Sequence, residues 1–541
     1  MNVLWIMADQ LRYDYLGCAG HPGIRTPNID ALAARGVRFD RAYVQSPCCG
    51  PSRMSAYTGR YCRSHGATGN GVPLRVGEPT LGDHLRRIGV RPVLVGKTHM
   101  VADTKGMEWL GIDPRSDVGV HLSECGFDPY ERDDGIHPDG PFNPPDLAYA
   151  RYLREHGFEG ENPWQDWANS AQSDDGELLS GWLMRYNDRP ARIPEEHSET
   201  PYMTRRAMEF IEEAGEQPWL CHLSYIKPHW PYIVPAPYHG MYGEKDLLPV
   251  NRSEAERDPA IAHPVFKAYQ DSRICRAYCA DGIREAIIPA YMGLITQIDD
   301  QLGALFASME ERGLMEDTMI VISSDHGDYL GDHWMGEKDL FHDCSVRVPL
   351  IVYDPRREAD ATRGQVRREL VEYLDLAPTF LEAFGGEPLP HILEGRSLSP
   401  LLHDSGTGPV AWRQYSISEY DYSTRYARLA LDVPIEDANL IMICDDRWKY
   451  VYAKGFRPML FDIENDPGEL VDLGGDPDHE EVRARLYEAL CDWSRQIHNR
   501  ITVTREAIDA RLNRESPGVL IGVLDEADYE KHFGKPFGRG R

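Results

Sequence analysis

The chain lacks any long hydrophobic run. Nothing in its 541 residues approaches the roughly 18 apolar residues of a membrane-crossing helix, so no membrane span is expected. Positive charge is scarce. The 58 Lys and Arg against 87 Asp and Glu leave a net charge of −29, which opposes nucleic acid and anionic membranes as partners. Cysteine pairing signals are missing too: the eleven cysteines are scattered and odd in number, with no CxxC and no zinc spacing. Cys275 and Cys279, four apart, suit one face of a helix and plain packing. The start, Met1-Asn2, enters the apolar Val3–Ala8 run with neither a basic region nor a small-residue cleavage site. It reads as a strand and not as an export signal. The expectation is a cytoplasmic protein with reduced thiols. No internal repeat is visible.

The negative balance sets a condition on function. An anionic substrate would be repelled by the whole-protein field, which salt screens to about 8 Å. Such a substrate therefore requires a local cluster of Arg and Lys.

What is present is ample apolar content, 42%, enough for one large domain with a smaller one appended. Four apolar runs end in polar residues. Val3–Ala8 ends at Asp9. Val93–Val95 ends at Gly96-Lys97-Thr98-His99. Trp219–Ile226 ends at Lys227-Pro228-His229. Met319–Ile322 leads through Ser323-Ser324 to Asp325-His326-Gly327. Continuous apolar runs suit strands covered on both faces. Helical patterns lie between them, at Asn28–Ala34 and at Tyr291, Leu294, Ile295, Ile298, Leu302, Leu305, Phe306 and Met309. The expectation is an α/β fold: a large, mostly parallel sheet flanked by helices. Ligands bind beyond the carboxyl ends of such strands, and four polar ends together suggest a single site.

The division expected is a catalytic α/β domain over 1–405, with insertions near 105–200 and 250–285, a smaller domain over 406–514 and a tail over 515–541. The stretch Glu131–Asp146 is too rich in Gly, Pro and Asp for regular structure, and Val250–Arg284 is polar and interrupted. Each reads as a lid, a rim or an idle surface loop. Leu440–Cys444, Trp448–Tyr452 and Met459–Phe461 read as a small antiparallel sheet, with a helix over Glu480–Ile497. The tail, with its apolar patch at 519–523, is either an arm on a second subunit or a frayed end. A homo-oligomer, dimer or tetramer, is the expectation.

Asp9, Gln10, Asp325 and His326 at strand ends are hard or borderline ligands that suit Ca²⁺, Mg²⁺ or Mn²⁺ better than zinc. Beside them stands Ser46–Arg60, SPCCGPSRMSAYTGR. Its Cys49-Gly50-Pro51-Ser52-Arg53 and Thr58-Gly59-Arg60 resemble the sulfatase signature C-x-P-S-R followed by T-G-R. Thr26-Pro27-Asn28-Ile29-Asp30, Gly96-Lys97-Thr98-His99, Ser324-Asp325-His326-Gly327, Lys338 and Arg347-Val348-Pro349 follow in that family's order. The resemblance runs from about residue 3 to about 500. It implies the alkaline-phosphatase-like fold. Gly69-Asn70-Gly71-Val72-Pro73-Leu74 and Lys227-Pro228-His229-Trp230-Pro231 are similar to the bacterial arylsulfatase and phosphonate monoester hydrolase branch.

The resemblance implies roles. Cys49 would be oxidised to formylglycine by a formylglycine-generating enzyme. The hydrated aldehyde would attack sulfur or phosphorus, and its second hydroxyl would let the covalent ester collapse. Asp9, Gln10, Asp325, His326 and modified Cys49 would hold one divalent ion, Ca²⁺ or Mn²⁺. Arg53 would orient the nucleophile. Lys97 and Lys338 would hold the anion's oxygens. His99 would act as base in ester breakdown, His229 as proton donor to the leaving oxygen, and Asn70 as a hydrogen-bonding partner of substrate. The phosphonate-cleaving relatives carry Tyr and Thr where this chain has Lys97 and His99, so a small-molecule sulfate ester is the expected substrate, with phosphonate and phosphate esters slower. A phosphonate monoester hydrolase or phosphodiesterase is the alternative. A non-catalytic metal or ester-binding protein would follow if Cys49 stays a thiol.

Overall fold

The computed structural model describes residues 1–135, 147–404, 406, 410–497, 502–510 and 525–536. Residues Met1–Leu389 and Leu393–Gln496 form one compact unit. Pro390–Ile392 and Ile497–Arg541 form a second, whose described helices are Arg505–Asp509 and Glu526–Phe533. The 136–146 part of the Gly- and Pro-rich insertion and the 519–523 patch lie outside the described residues. Among the described residues no helix is long and apolar enough to cross a membrane.

The strands in chain order are β1 Asn2–Asp9, β2 Val37–Tyr43, β3 Arg91–Gly96, β4 Asp128–Arg132, β5 Ser170–Gln172, β6 Leu178–Ser180, β7 Trp219–Pro228, β8 Thr318–Ser323, β9 Arg347–Tyr353, β10 Gln365–Arg367, β11 Val371–Glu372, β12 Ser416–Asp421, β13 Asn439–Cys444, β14 Trp448–Ala453 and β15 Met459–Asp462. A nine-stranded sheet runs β10-β2-β9-β8-β1-β7-β3-β4, with β11 also on β2. It is mixed: β9 runs antiparallel to β2 and β8, and the other pairs are parallel. The four apolar runs read as strands are β1, β3, β7 and β8. They are consecutive neighbours at the sheet centre, β8-β1-β7-β3, so their polar ends lie side by side.

Alternation along β1 serves two cores. Leu4 and Ile6 join Val93, Val95, Leu223 and Ile322 in one cluster with Ile29 and Leu32 of helix Pro27–Arg35, Phe210 of helix Glu199–Glu213 and Leu294 and Ile298 of helix Ile283–Glu311. Trp5 instead meets Tyr57 of helix Cys49–Thr58 at 5.6 Å and Phe380 of helix Leu376–Ala383 at 5.3 Å. Fully burying one such side chain is worth about 1.5–3 kcal/mol, so this doubly covered strand anchors the sheet. Its continuous run of buried residues is the pattern expected when both faces are packed.

The small antiparallel sheet is β12-β13-β14-β15, followed by helix Glu480–Arg495. Its three later strands match the runs expected. Two local readings change. Glu131 and Arg132 finish strand β4 beside β3, because pairing with a neighbour supplies the order that local composition does not. The 250–284 stretch holds helices Pro264–Gln270 and Arg273–Tyr278. Cys275 is buried on the latter, Cys279 half-buried at its end, and all eleven cysteines are unpaired.

Candidate active site

The ends of β1, β3, β7 and β8 converge on the start of helix Cys49–Thr58, all ten of whose residues are buried. Gly59 closes the helix at φ 64°, a left-handed turn that suits glycine. Cys49 is the first helical residue, where the dipole and free N–H groups favour negative charge. Asn70 supports this end, its Oδ1 accepting from Gly50 N at 2.8 Å. Gly96, the last residue of β3, has φ 110°, and a Cβ there would stand 2.0 Å from the Ser224 carbonyl oxygen. Only glycine lets β3 approach β7 this closely and deliver Lys97 to the site.

Four ligand groups stand together. The ligand atoms of Asp9, Cys49, Asp325 and His326 all lie within 4.8 Å of one another, and all four residues are buried. Cys49 Sγ is 3.0 Å from His326 Nε2 and accepts from Lys338 Nζ at 3.0 Å. His326 Nδ1–H donates to the Gly327 carbonyl at 2.9 Å, which turns Nε2 towards the cluster. Asp9 Oδ1 is buried without a hydrogen-bond partner. An orphaned carboxylate oxygen in this setting is costly unless something positive meets it.

The cationic shell that the negative balance demanded is here. Arg53 is fully buried and donates four ways: Nε to Asp325 Oδ2 at 2.6 Å, Nη2 to Asp9 Oδ2 at 3.0 Å, Nη1 to the Lys97 carbonyl and to Ser224 Oγ at 2.8 Å each. Lys97 Nζ pairs with Asp9 Oδ2 at 2.6 Å. Burial alone would raise the Asp9 carboxyl, yet Lys97 and other cations hold it well below the usual range. Burial would also raise the Cys49 thiol, but Lys338, His326 and Lys97 draw it well below an ordinary thiol. The same field would stabilise an anionic oxygen at that position. Burial would lower His326, but Asp325 and Cys49 together outweigh it and hold the imidazole up at about 9.

His229 has Nδ1–H on the Trp230 carbonyl at 2.8 Å and Nε2 2.8 Å from Lys338 Nζ. Burial and then the Lys338 ammonium push it down to about 3. It is therefore a neutral imidazole accepting from lysine. Gln10 sits at φ 66°, just past a register shift in β1 at Asp9. Its Nε2 donates to Tyr232 OH at 3.1 Å and to Asp328, leaving Oε1 3.5 Å from Lys338 Nζ. His99, at φ 53°, has its backbone N–H on Asp134 Oδ1 at 2.9 Å. Its Nδ1 is buried without a partner.

Cys49, Arg53, Lys97, Lys338, His229, Asp9, Gln10, Asp325 and His326 thus form one connected network. Asn70 touches it through Gly50, and His99 follows Lys97 by two residues. Sequence reasoning missed four supports. Asp328 accepts from Gln10 and Tyr232, Ser224 and Tyr232 fasten Arg53 and Gln10, and Asp134 ties down the 97–99 turn. Asp328 was findable, two residues past His326. Ser224, inside an apolar run, carried no signal.

The Sulfatase family profile matches residues 1–386. The chain belongs to the sulfatase family. A second profile, "N-sulphoglucosamine sulphohydrolase, C-terminal", matches residues 331–496. The chain is an enzyme of this family, and its relatives span two kinds of hydrolase. It is 33% identical over 495 residues to the multifunctional alkaline phosphatase superfamily protein PehA of Trinickia caryophylli, covering 88% of this chain and 91% of that one. It is 27% identical over 514 residues to an arylsulfatase of Clostridium perfringens, covering 92% and 93%. In structure it is similar to the phosphonate monoester hydrolase of Silicibacter pomeroyi, with a TM-score of 0.79, 29% identity and coverage of 93% and 98%.

Proposed function

We propose that this enzyme hydrolyses small-molecule sulfate esters through a formylglycine made from Cys49, with slower action on phosphonate and phosphate esters. The observation that carries the reading is the setting of Cys49: a helix start, Lys338 Nζ and His326 Nε2 at 3.0 Å each, and two buried aspartates beside it. A cytoplasmic formylglycine-generating enzyme would supply the aldehyde, whose hydrate offers the attacking oxygen.

Asp9, Gln10, Asp325, His326 and residue 49 would hold one divalent ion. The orphaned Asp9 Oδ1 and the mixed carboxylate and imidazole donors fit Ca²⁺ or Mn²⁺. When bound, the ion would lower the pKa of a hydroxyl at position 49 and make it nucleophilic near neutral pH.

The other residues position charge and protons. Arg53 fixes both aspartates and, through its backbone carbonyl, Lys97. Lys97 and Lys338 flank position 49 and would take the oxygens of a tetrahedral anion. Asn70, already on Gly50, would hydrogen-bond the same anion. His229 is neutral because burial and the Lys338 ammonium outweigh Asp9 and Cys49. An anion placed between His229 and Lys338 supplies the negative charge that lets His229 carry a proton, which it would pass to the departing alcohol oxygen. His99 would take a proton in the breakdown step. The sulfate preference rests on Lys97 and His99. The phosphonate reading is favoured by the structural likeness to a phosphonate monoester hydrolase. Loss of all aryl sulfate turnover in Cys49→Ala, with a native unfolding midpoint, is the expected test result. A fully active variant would refute the reading.

A further inference from the structure

The turn that carries His229 has few backbone donors. Pro228 and Pro231 lack an N–H, and the His229 N–H donates to the Ile226 carbonyl at 3.1 Å. A side chain supplies what is missing. Lys227, near the end of β7, is buried, and its Nζ donates to the Pro231 carbonyl at 2.9 Å and to Asn169 Oδ1 at 3.1 Å. The lysine thus closes the turn from its first residue to its last.

Asn169 ties that turn to the 164–191 segment. It stands just before β5, is fully buried, and is itself fixed. Its N–H and Nδ2 both donate to the Trp164 carbonyl, at 3.0 and 3.2 Å, and its carbonyl accepts from Gly181 N at 2.8 Å. Two further contacts join the same parts. Trp182 meets Trp230 edge to face at 5.0 Å, and Ala191 N donates to the Val234 carbonyl at 2.9 Å. A buried ammonium on two neutral oxygens is costly. Burial pulls Lys227 down to about 8, and Glu199, the first residue of helix Glu199–Glu213, pushes it up. A well-packed apolar side chain is often at least as stabilising in such a place, so stability alone does not account for the lysine.

We propose that Lys227 is a positioning residue for proton transfer: anchored on Asn169, it fixes the turn that aims His229 at the leaving oxygen. This inference rests on the ester hydrolase reading above. The chain of contacts is short. His229 Nδ1–H donates to the Trp230 carbonyl at 2.8 Å, and the Pro231 carbonyl that Lys227 grips is one residue further on. With Nδ1 so engaged, Nε2 stands 2.8 Å from Lys338 Nζ, which in turn reaches Cys49 Sγ at 3.0 Å. Releasing the Pro231 carbonyl frees the Trp230 peptide to turn, and the imidazole follows it. A displacement of about 1 Å costs on the order of a hundredfold in rate where the group is needed.

The test separates an ester that needs the proton from one that does not. Native enzyme, Lys227→Met, Lys227→Arg, His229→Ala and the Lys227→Met, His229→Ala double variant are assayed on phenyl sulfate and 4-nitrophenyl sulfate. As the bond between sulfur and the alcohol oxygen breaks, phenolate takes up the His229 proton, whereas 4-nitrophenolate is stable without it. The quantity read is kcat/KM, which reports the step in which the alcohol departs. Lys227→Met is expected to lose roughly ten- to a hundredfold on phenyl sulfate, part of the worth of a general acid, and to keep most of its 4-nitrophenyl sulfate turnover. Lys227→Arg, which restores a charged donor, should recover part of the loss. In the His229→Ala background, Lys227→Met should cost nothing more on phenyl sulfate, as for residues that act as one unit. Equal losses on both esters, no loss on phenyl sulfate, or a full extra loss in His229→Ala would overturn the inference. Asn169→Ala removes the anchor of the lysine without touching β7, and is judged by the same two esters if Lys227→Met does not fold. If the native enzyme prefers phosphonates, the same phenols are compared as phosphonate monoesters. An even loss on both esters in His229→Ala alone would overturn the proton-donor role of His229, and this inference with it. Native inactivity on every ester would instead overturn the ester hydrolase reading itself.

Discussion

Replacing Arg53 by lysine keeps the charge and removes the fork. The guanidinium serves Asp325, Asp9, the Lys97 carbonyl and Ser224 at 2.6–3.0 Å, with no exposure. A lysine ammonium is a point donor on a flexible stem and cannot span four acceptors arranged for a planar group. If it keeps two, two buried acceptors lose their donor. At about 1–3 kcal/mol for each buried polar group left unpaired, the cost is about 2–6 kcal/mol. Function suffers separately. Asp9 and Asp325 lose their fixed orientation, and a misplacement of about 1 Å costs on the order of a hundredfold in rate. Arg53→Lys is therefore expected to unfold at lower urea and to lose about a hundredfold or more in kcat on aryl sulfate. Urea midpoints and steady-state kinetics on the same preparation give both numbers. A variant with native midpoint and native kcat would refute the claim that Arg53 organises the two aspartates.

Asp9→Ala and Asp325→Ala should each lose bound metal and turnover together, read by elemental analysis and assay of the same sample; full activity in metal-free protein would refute the ligand assignment. The tryptic peptide carrying Cys49 should be about 18 Da lighter than its thiol form, as when a thiol becomes an aldehyde, and no other cysteine peptide should change. His99→Ala should show a burst followed by slow turnover in stopped flow, whereas slow single-phase kinetics would place His99 before the first step. Burial holds His222 down at about 3 against an ordinary 6.5. The unfolded chain thus binds a proton that the folded chain refuses as pH falls below 6.5. One unit below that value this costs about 1.4 kcal/mol, so His222→Gln should show less loss of stability than native between pH 7.5 and pH 5.5, measured by urea midpoints.

The central sheet was legible because β1, β3, β7 and β8 are buried on both faces and so read as unbroken apolar runs. Their polar ends were legible as one site for the same reason. Strand β9 was not: Arg347-Val348-Pro349 was seen only as a motif, and its antiparallel placement between β2 and β8 comes from tertiary pairing that no local pattern encodes. Strand β12 was missed as well, since Ser416–Asp421 carries four polar residues, Ser416, Ser418, Glu419 and Asp421, and is held in place by pairing with β13. Within the site, the ligand and cation residues were readable from residue type and position. Their state was not. That His229 is neutral depends on its burial and then on the Lys338 contact, across 109 positions of sequence. The role of Ser224 depends on Arg53 reaching it from 171 positions away.

The measurement that bears most directly on the account is kcat/KM for an aryl sulfate and for the phosphonate monoester of the same phenol, on one metal-loaded, aldehyde-bearing preparation. Lys97 and His99 are the residues on which the sulfate reading stands, so the sulfate is expected to turn over faster, and Lys97→Ala to lose roughly ten- to a hundredfold of that rate, the worth of one charge-assisted hydrogen bond of about 1.5–3 kcal/mol. A native enzyme that prefers the phosphonate, with sulfate turnover indifferent to Lys97, would contradict the account and make this chain a phosphonate monoester hydrolase.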